Sequence, residues 1–307
     1  MKMSLLNLIS TPVPVLNSLG LRLRVGLSSE DPMVGRRPRE PYDAFLSTYS
    51  PEGVLADRQA LGSIESDRRK FFDISSIVSS VLPGQDHLSV VHRVPSRLLA
   101  EVGSVEGAIE LDNEPDYSYF RSVVEYSYPD GGNGAVIYET PPRFNAAGSS
   151  SSNTLSFTCQ TAISESVGAY VVLIHHSVNP QYSKIANYQF VLHSLSGERV
   201  VSDRVSVGPF GIKIIDIRAL VPAEVVAREK DLADSISSFT FVGFSEDAAM
   251  IVLVVNAAPS LGAVAVEHIH PPQTYLLPWD SSYQKRLKLA AQRGWKELLS
   301  PGGQVPS

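Results

Sequence analysis

The chain is poor in the residues that mark several classes of protein. Its 307 residues include one cysteine, four methionines and two tryptophans, and only 8% of them are aromatic. Because Cys159 has no second cysteine to pair with, disulfide-stabilised small folds are excluded and a reducing compartment is favoured. No stretch approaches the roughly 20 uninterrupted apolar residues of a membrane-spanning helix, so we expect no membrane span.

The chain also lacks a strong excess of charge. It carries 26 basic and 32 acidic residues, a net charge of -6, so nucleic acid is not expected as its principal partner. With 43% apolar residues, the composition predicts a globular protein and excludes a disordered chain. A short apolar run at the start is interrupted by Ser10, Pro12 and Pro14, which predicts a loosely ordered arm and a cytoplasmic protein.

An internal repeat organises what is present. Four pairs of similar segments occur in the same order in the two halves, and such agreement predicts a duplicated unit. The pairs are residues 20–32 with 168–180, 42–58 with 188–204, 70–78 with 213–221, and 124–129 with 266–271. We therefore predict domains at residues 16–142 and 155–299, joined by a Gly/Ser-rich linker at 143–154.

Local patterns within each unit predict strands. Residues 170–174 and 251–255 are β-branched runs too short for buried helices, and residues 155–161 alternate between apolar and polar side chains. Residues 130–134 and 196–197 supply the turn residues of two hairpins. The sequence thus predicts an all-β protein, a tandem duplication of two antiparallel β-sandwich domains of jelly-roll or immunoglobulin-like type.

Two segments are predicted to be helical. Residues 222–234 begin with proline and acidic residues, as helices commonly do. Residues 280–299 predict a C-terminal amphipathic helix that covers a sheet edge or contacts a partner, because one face collects apolar side chains, namely Tyr283, Leu287, Ala290, Ala291 and Leu298.

Histidines in the second unit suggest a metal site. His268 and His270 are two residues apart, so in a strand they share one face, and His176 is the third candidate. Three imidazoles suit a transition metal such as zinc. The simpler interpretation is that these residues end a strand at the domain rim, as Tyr126 and Tyr128 do at the matching positions of the first unit.

Other candidate residues have structural explanations of equal weight. The tyrosines Tyr126 and Tyr128 can stack on a sugar or line a protein interface, or they can fill a core. Cys159 lies on the apolar side of its strand and is expected to be a small core residue. A Lys-x-x-Asp pattern recurs at residues 70–73 and 213–216, where surface ion pairs are the expected role.

A non-catalytic binding or assembly protein is the leading functional hypothesis, because no catalytic signature occurs in the sequence. Its expected partner is a protein or a glycan, with no required cofactor. The alternative is a metal-dependent enzyme with His268 and His270 as ligands. A third hypothesis is an oligomeric structural component, since sheet edges offer contact surfaces.

Overall fold

The structure is a computed structural model that describes residues 9–28, 41–65, 68–107, 122–131, 133–138, 155–177, 182–232, 236–246, 250–269 and 293. These residues form sixteen strands in four four-stranded antiparallel sheets, with a few short helices. The predicted all-β class is therefore confirmed. Among the described helices, none has the length and apolarity needed to cross a membrane.

Eight strands lie in each half of the chain. Those of the first half are β1 (Ile9–Val15), β2 (Arg22–Ser28), β3 (Tyr42–Tyr49), β4 (Leu55–Ile64), β5 (Arg69–Asp73), β6 (His87–Pro95), β7 (Ser122–Ser127) and β8 (Asn133–Tyr138). Those of the second half are β9 (Leu155–Ile163), β10 (Gly168–His175), β11 (Ala186–Ser194), β12 (Arg199–Val207), β13 (Ile212–Asp216), β14 (Ser237–Glu246), β15 (Met250–Ala258) and β16 (Ala263–Ile269).

The strand order is the same in both halves. In the first half, sheet A has the order β1-β6-β3-β4 and sheet B the order β5-β2-β7-β8. In the second half, sheet C has the order β9-β14-β11-β12 and sheet D the order β13-β10-β15-β16. Strands of equal rank in the two halves therefore occupy equal positions in their sheets.

Short helices connect the strands. They are α1 (Ile74–Val78), α2 (Ser96–Val102), α3 (Ile217–Leu220) and α4 (Ala223–Leu232). The last confirms the helix predicted at residues 222–234. The Lys-x-x-Asp pattern has a local explanation, since Asp73 and Asp216 each accept backbone N–H groups at the start of α1 and α3. These aspartates cap helices, so the expected surface ion pairs are not their role.

Part of the N-terminal arm predicted from the sequence, residues 9–15, is in fact an edge strand. β1 pairs with β6 along its whole length, and it lies ahead of residue 16, where the first domain was predicted to begin. The sequence did not predict this strand, because prolines such as Pro12 and Pro14 usually interrupt strands. An edge strand tolerates them because every second N–H points away from its single neighbour, and Pro12 and Pro14 are two residues apart.

The predicted match of residues 124–129 with 266–271 is wrong. Residues 124–129 begin in β7, which pairs with both β2 and β8 inside sheet B. Residues 266–271 begin in β16, which lies at the end of sheet D and forms its ladder with β15. The two segments therefore occupy different positions in their sheets, and Tyr126 is not the counterpart of His268. A short sequence match cannot distinguish an interior strand from an edge strand.

The central strands of sheet D, β10 and β15, are buried on both faces. Val172 and Leu253 belong to an apolar cluster shared with sheets A and B, whereas Val171 and Val254 belong to a second cluster shared with sheet C. Adjacent residues of a strand point to opposite faces, so β10 and β15 must be apolar at nearly every position. This explains why their sequences are continuous apolar runs without alternation.

Glycines bring the two halves into backbone contact. A Cβ atom on Gly53, between β3 and β4, would lie 1.9 Å from the carbonyl oxygen of Pro209. A Cβ atom on Gly131 would lie 2.3 Å from the backbone of Gly262. The Ile212 N–H donates to the Pro51 carbonyl oxygen at 3.2 Å. Only residues without a side chain permit such approaches, so the halves pack tightly against each other.

Some predictions fall on residues that the structure does not describe. Apart from residue 293, the predicted C-terminal helix at residues 280–299 lies outside the described residues, and so does the linker at 143–154. These remain predictions.

The contact between the halves predicts different effects for two glycine substitutions. Gly53 and Gly197 both have positive φ angles, of 93° and 82°, so alanine is strained by about 1–2 kcal/mol at either position. A Cβ atom on Gly197 would meet no other atom of the described residues within 4 Å. Gly53→Ala should lower the free energy of unfolding by about 1–3 kcal/mol more than Gly197→Ala does, because the new Cβ collides with Pro209. Denaturant titrations of both variants measure the difference, and equal losses would contradict this packing.

Candidate functional site

The two tyrosines predicted to contact a ligand lie in different environments. Tyr126 is 0% exposed, and its hydroxyl donates to the Pro14 carbonyl oxygen at 2.8 Å. It is therefore a core residue that no ligand reaches in this conformation, because its ring fills the space between β1 and β7. Tyr128 is half-buried, and burial, with Tyr170 as a smaller cause, raises the pKa of its hydroxyl. Ligand contact at Tyr128 stays a prediction.

The predicted histidine pair is described only in part. His268 lies on β16 opposite Leu253, and it is half-buried on the same face as Val264. Glu267, the preceding residue, points to the other face and is exposed. His270 lies outside the described residues. Whether His268 and His270 bind a metal together therefore stays a prediction.

The third predicted ligand, His176, lies at the boundary of the two halves. It is 2% exposed, and its ring meets Phe210 edge-on with 5.9 Å between ring centres. Its neighbour His175 lies within hydrogen-bond distance of the Lys184 carbonyl, 2.9 Å from Nε2. Among the residues that the structure describes, no group of three or more His, Cys, Asp or Glu side chains could hold a metal ion.

A buried polar cluster surrounds His92 in sheet A. Ser10 Oγ lies 2.8 Å from Nδ1 of His92, and Ser47 Oγ lies 2.9 Å from Nε2. The Arg58 side chain donates from Nε to Ser47 Oγ at 2.9 Å and forms an ion pair with Glu106. Since Arg58 already donates to Ser47, the Ser47 hydroxyl can donate to Nε2, and the neutral ring then donates from Nδ1 to Ser10.

This cluster occupies the face of sheet A that points away from sheet B. Thr11 contacts Ser122 of sheet B, so Ser10, the preceding residue, points to the opposite face together with its ladder partner His92. The second half covers this face. Phe210, between β12 and β13, stacks on Tyr49 at 5.0 Å between ring centres, and His176 packs against Phe210. We call these residues the junction cluster: Ser10, Ser47, Tyr49, Arg58, His92, His176 and Phe210.

Burial keeps both histidines of the junction cluster neutral. It lowers the pKa of His92 to about 3, with Arg58 and His176 as smaller causes. It also lowers the pKa of His176 to about 3, with His175 as the smaller cause. Both rings therefore resist protonation while the halves stay packed together.

A hydroxyl beside an imidazole is the arrangement that activates a serine nucleophile. Ser47, however, is 0% exposed, so a substrate has no access to it in this conformation. The hydrogen bonds among Ser10, Ser47, Arg58 and His92 are best explained as a buried polar network within the first half, over which Phe210 and His176 of the second half pack.

The outer face of sheet B presents an exposed aromatic ring. Phe71 on β5 is 44% exposed, although its neighbour Phe72 is buried. Its ring lies against Gly26 of β2, where a Cβ atom would come within 2.7 Å of the ring. The Arg24 guanidinium lies 5.3 Å from the ring centre in a cation–π contact. The absent side chain at Gly26 therefore creates the space in which the ring rests.

Charged side chains flank this ring. Arg24 forms a 3.1 Å ion pair with Glu125 of β7. Arg69 precedes Phe71 by two residues and lies on the same face, opposite Ser28. Arg22 precedes Arg24 by two residues on β2. We call this surface the Phe71 face; it comprises Arg22, Arg24, Gly26, Arg69, Phe71 and Glu125.

The sequence contains a signal for the exposure of Phe71, although Phe71 is not among the predicted site residues. Two adjacent aromatic residues in a strand must point to opposite faces, so one of Phe71 and Phe72 has to leave the core of a two-sheet sandwich. Gly26 gave no signal, because its partner strand is more than forty residues away in the sequence. Cys159 is confirmed as a core residue, and burial raises the pKa of its thiol to about 12.

Comparisons with known proteins give no relative. No family model matches the chain, and no curated protein matches it. Among solved structures, a putative beta-galactosidase from Bacteroides fragilis has 11% identity and a TM-score of 0.18, over 87% of this chain and 32% of its own. A beta-glucuronidase from glycoside hydrolase family 2 has 11% identity and a TM-score of 0.18, over 85% of this chain and 23% of its own.

A third solved structure is the infectious bursal disease virus VP2 subviral particle. It has 11% identity and a TM-score of 0.22, over 96% of this chain and 89% of its own. This chain thus spans about a third or less of the length of the two glycosidases named above. TM-scores this low do not establish a shared fold, so function is inferred from the site geometry alone.

The junction cluster predicts a stability that depends on pH. Unfolded histidine has a pKa of about 6.5, whereas the folded pKa of His92 is about 3. The unfolded chain therefore binds a proton that the folded chain does not, and the free energy of unfolding falls as the pH drops from about 6.5 toward 3. His92→Gln should reduce this dependence by about 1.4 kcal/mol per pH unit. Denaturant titrations at several pH values from about 7 to about 4 measure the slope of the free energy of unfolding against pH.

Ser47→Ala is the matched control for this experiment. It removes one hydrogen bond of His92 and should lower stability by about 1–3 kcal/mol at every pH. The imidazole stays buried in that variant, so the slope with pH should stay close to that of the unmodified protein. An unchanged slope in His92→Gln would contradict the assignment of the proton uptake to His92.

Proposed function

We propose that the chain is a tandem duplication of one β-sandwich unit. The equal strand order of the two halves supports this, and so does the ladder register. Lys70 pairs with Leu27, and Lys213 pairs with Leu173, so Leu27 and Leu173 are equivalent. The gapless alignment of residues 20–32 with 168–180 instead places Leu27 on His175, and it is shifted by two residues.

We further propose that the protein is a non-catalytic binding protein and that the Phe71 face is its binding surface. The exposure of Phe71 is the observation that carries this proposal. Transferring a large ring out of water is favourable, and a partner that covers Phe71 gains this energy. Aromatic residues, phenylalanine included, and arginine are both enriched at protein interfaces.

The surrounding contacts support a preformed surface. Arg24 is held by its ion pair with Glu125 and by the ring of Phe71, so it loses little side-chain freedom on binding. Phe71 rests on the backbone of a strand that lies inside its sheet. Two rigid groups on a rigid sheet can recognise a ligand without a conformational change.

The proposed role predicts that binding requires Phe71. The unmodified protein is first applied to an array of defined neutral and acidic glycans and peptides. The ligands that bind it are then tested with the variants. Phe71→Ala should weaken binding about five- to tenfold, because stacking on the ring is lost. Phe71→Trp should keep binding, since it preserves an aromatic surface.

Leu195→Ala provides the control, because Leu195 is 59% exposed but lies in the second half, away from sheet B. It should leave binding unchanged. The proposal is wrong if no ligand on the array depends on Phe71, or if Leu195→Ala weakens binding as much as Phe71→Ala does.

A further inference from the structure

The Phe71 face has a linear arrangement of ring and charge. Along β2, Phe71 lies opposite Gly26 and Arg69 lies opposite Ser28. Arg24 and Arg22 continue the row in the other direction, at steps of two residues on the same face. At about 3.3 Å per residue, the row from Arg69 to Arg22 is roughly 20 Å long.

The row carries more positive than negative charge. Its three arginines stand against two carboxylates, that of Glu125, which is paired with Arg24, and that of Asp73, which lies opposite Arg24 in the ladder and accepts the Ser76 N–H. Arg22 and Arg69 are exposed, and neither has an ion-pair partner among the residues that the structure describes. The chain as a whole has a net charge of -6, so this local excess of arginine is against the overall trend.

We propose that the ligand of the Phe71 face is an acidic polysaccharide. This inference rests on the binding role proposed above and names its ligand class. A sugar ring presents an apolar C–H face that stacks on an aromatic ring, and its carboxylate or sulfate accepts paired hydrogen bonds from a guanidinium. A row that places one ring among three arginines matches a polymer that repeats both groups.

The shape of the surface favours a polysaccharide over an acidic peptide. The row follows β2, which is paired on both sides with β5 and β7, so its backbone groups are already used. A peptide strand that adds to a sheet edge would pair with β5, the edge strand of sheet B, and would extend the sheet beyond β5, so it would not lie over Arg22 and Arg24 of β2. A saccharide needs only the flat face of the sheet and its side chains.

Three polymers of matched length test the inference by calorimetric titration. Polygalacturonate is an acidic polysaccharide, methyl-esterified polygalacturonate is its neutral counterpart, and polyglutamate is an acidic peptide. We expect polygalacturonate to bind at least tenfold more tightly than either of the others. Its affinity should fall as salt is added, because the arginines are exposed to solvent.

Two variants identify the surface responsible. In Arg22→Ala/Arg69→Ala, the affinity for polygalacturonate should fall about tenfold and the salt dependence should weaken. Arg204→Ala is the matched control, because Arg204 is an exposed arginine on β12 of sheet C, and it should bind like the unmodified protein. Phe71→Ala should lose affinity for the polymer without loss of the salt dependence.

The outcomes separate this inference from the broader proposal. If the esterified polymer or polyglutamate binds as tightly as polygalacturonate, and Phe71→Ala weakens that binding, the face is a binding surface but the ligand class is wrong. If polygalacturonate binds equally well to every variant, or if none of the three polymers binds, the inference is overturned. The binding role itself is tested by the array, and it is overturned if no ligand on the array depends on Phe71.

Discussion

The two-sided burial of the central strands of sheet D is the constraint on which the rest of the structure depends. These strands, β10 and β15, supply side chains to two apolar clusters at once, one with sheet C and one with the first half. Burial of apolar surface is the main favourable term in folding, so separating the halves would expose one whole face of this sheet. The second half therefore completes the core of the first.

Polar and backbone contacts then fix how the halves meet. Gly53 lets one turn approach the backbone at Pro209, and the Ile212 N–H donates a hydrogen bond to the Pro51 carbonyl oxygen across the contact. Apolar packing alone permits the two halves to slide past each other, whereas hydrogen bonds and close glycine contacts form in only one relative position of the halves. A binding surface on sheet B is consequently held by a scaffold larger than its own two sheets.

The Phe71 face shows how a functional surface arises from two distant parts of the sequence. Phe71 is exposed because Phe72 takes the inward position of β5, and its ring rests on β2 because Gly26 leaves room there. Neither residue is unusual by itself. The ladder between β2 and β5 joins them and aligns Arg24 with the ring.

The sequence by itself determined the all-β class, the hairpin turns, the helix at residues 222–234 and the core role of Cys159, because alternation, turn residues and helix starts are local signals. Only the tertiary structure decided that β1 is an edge strand despite its prolines, that residues 124–129 and 266–271 differ in position, and that Tyr126 is buried while Phe71 is exposed. Each of these depends on which strands become neighbours, and strand pairing joins residues far apart in the chain. The side of a strand that meets solvent is therefore set by its partners.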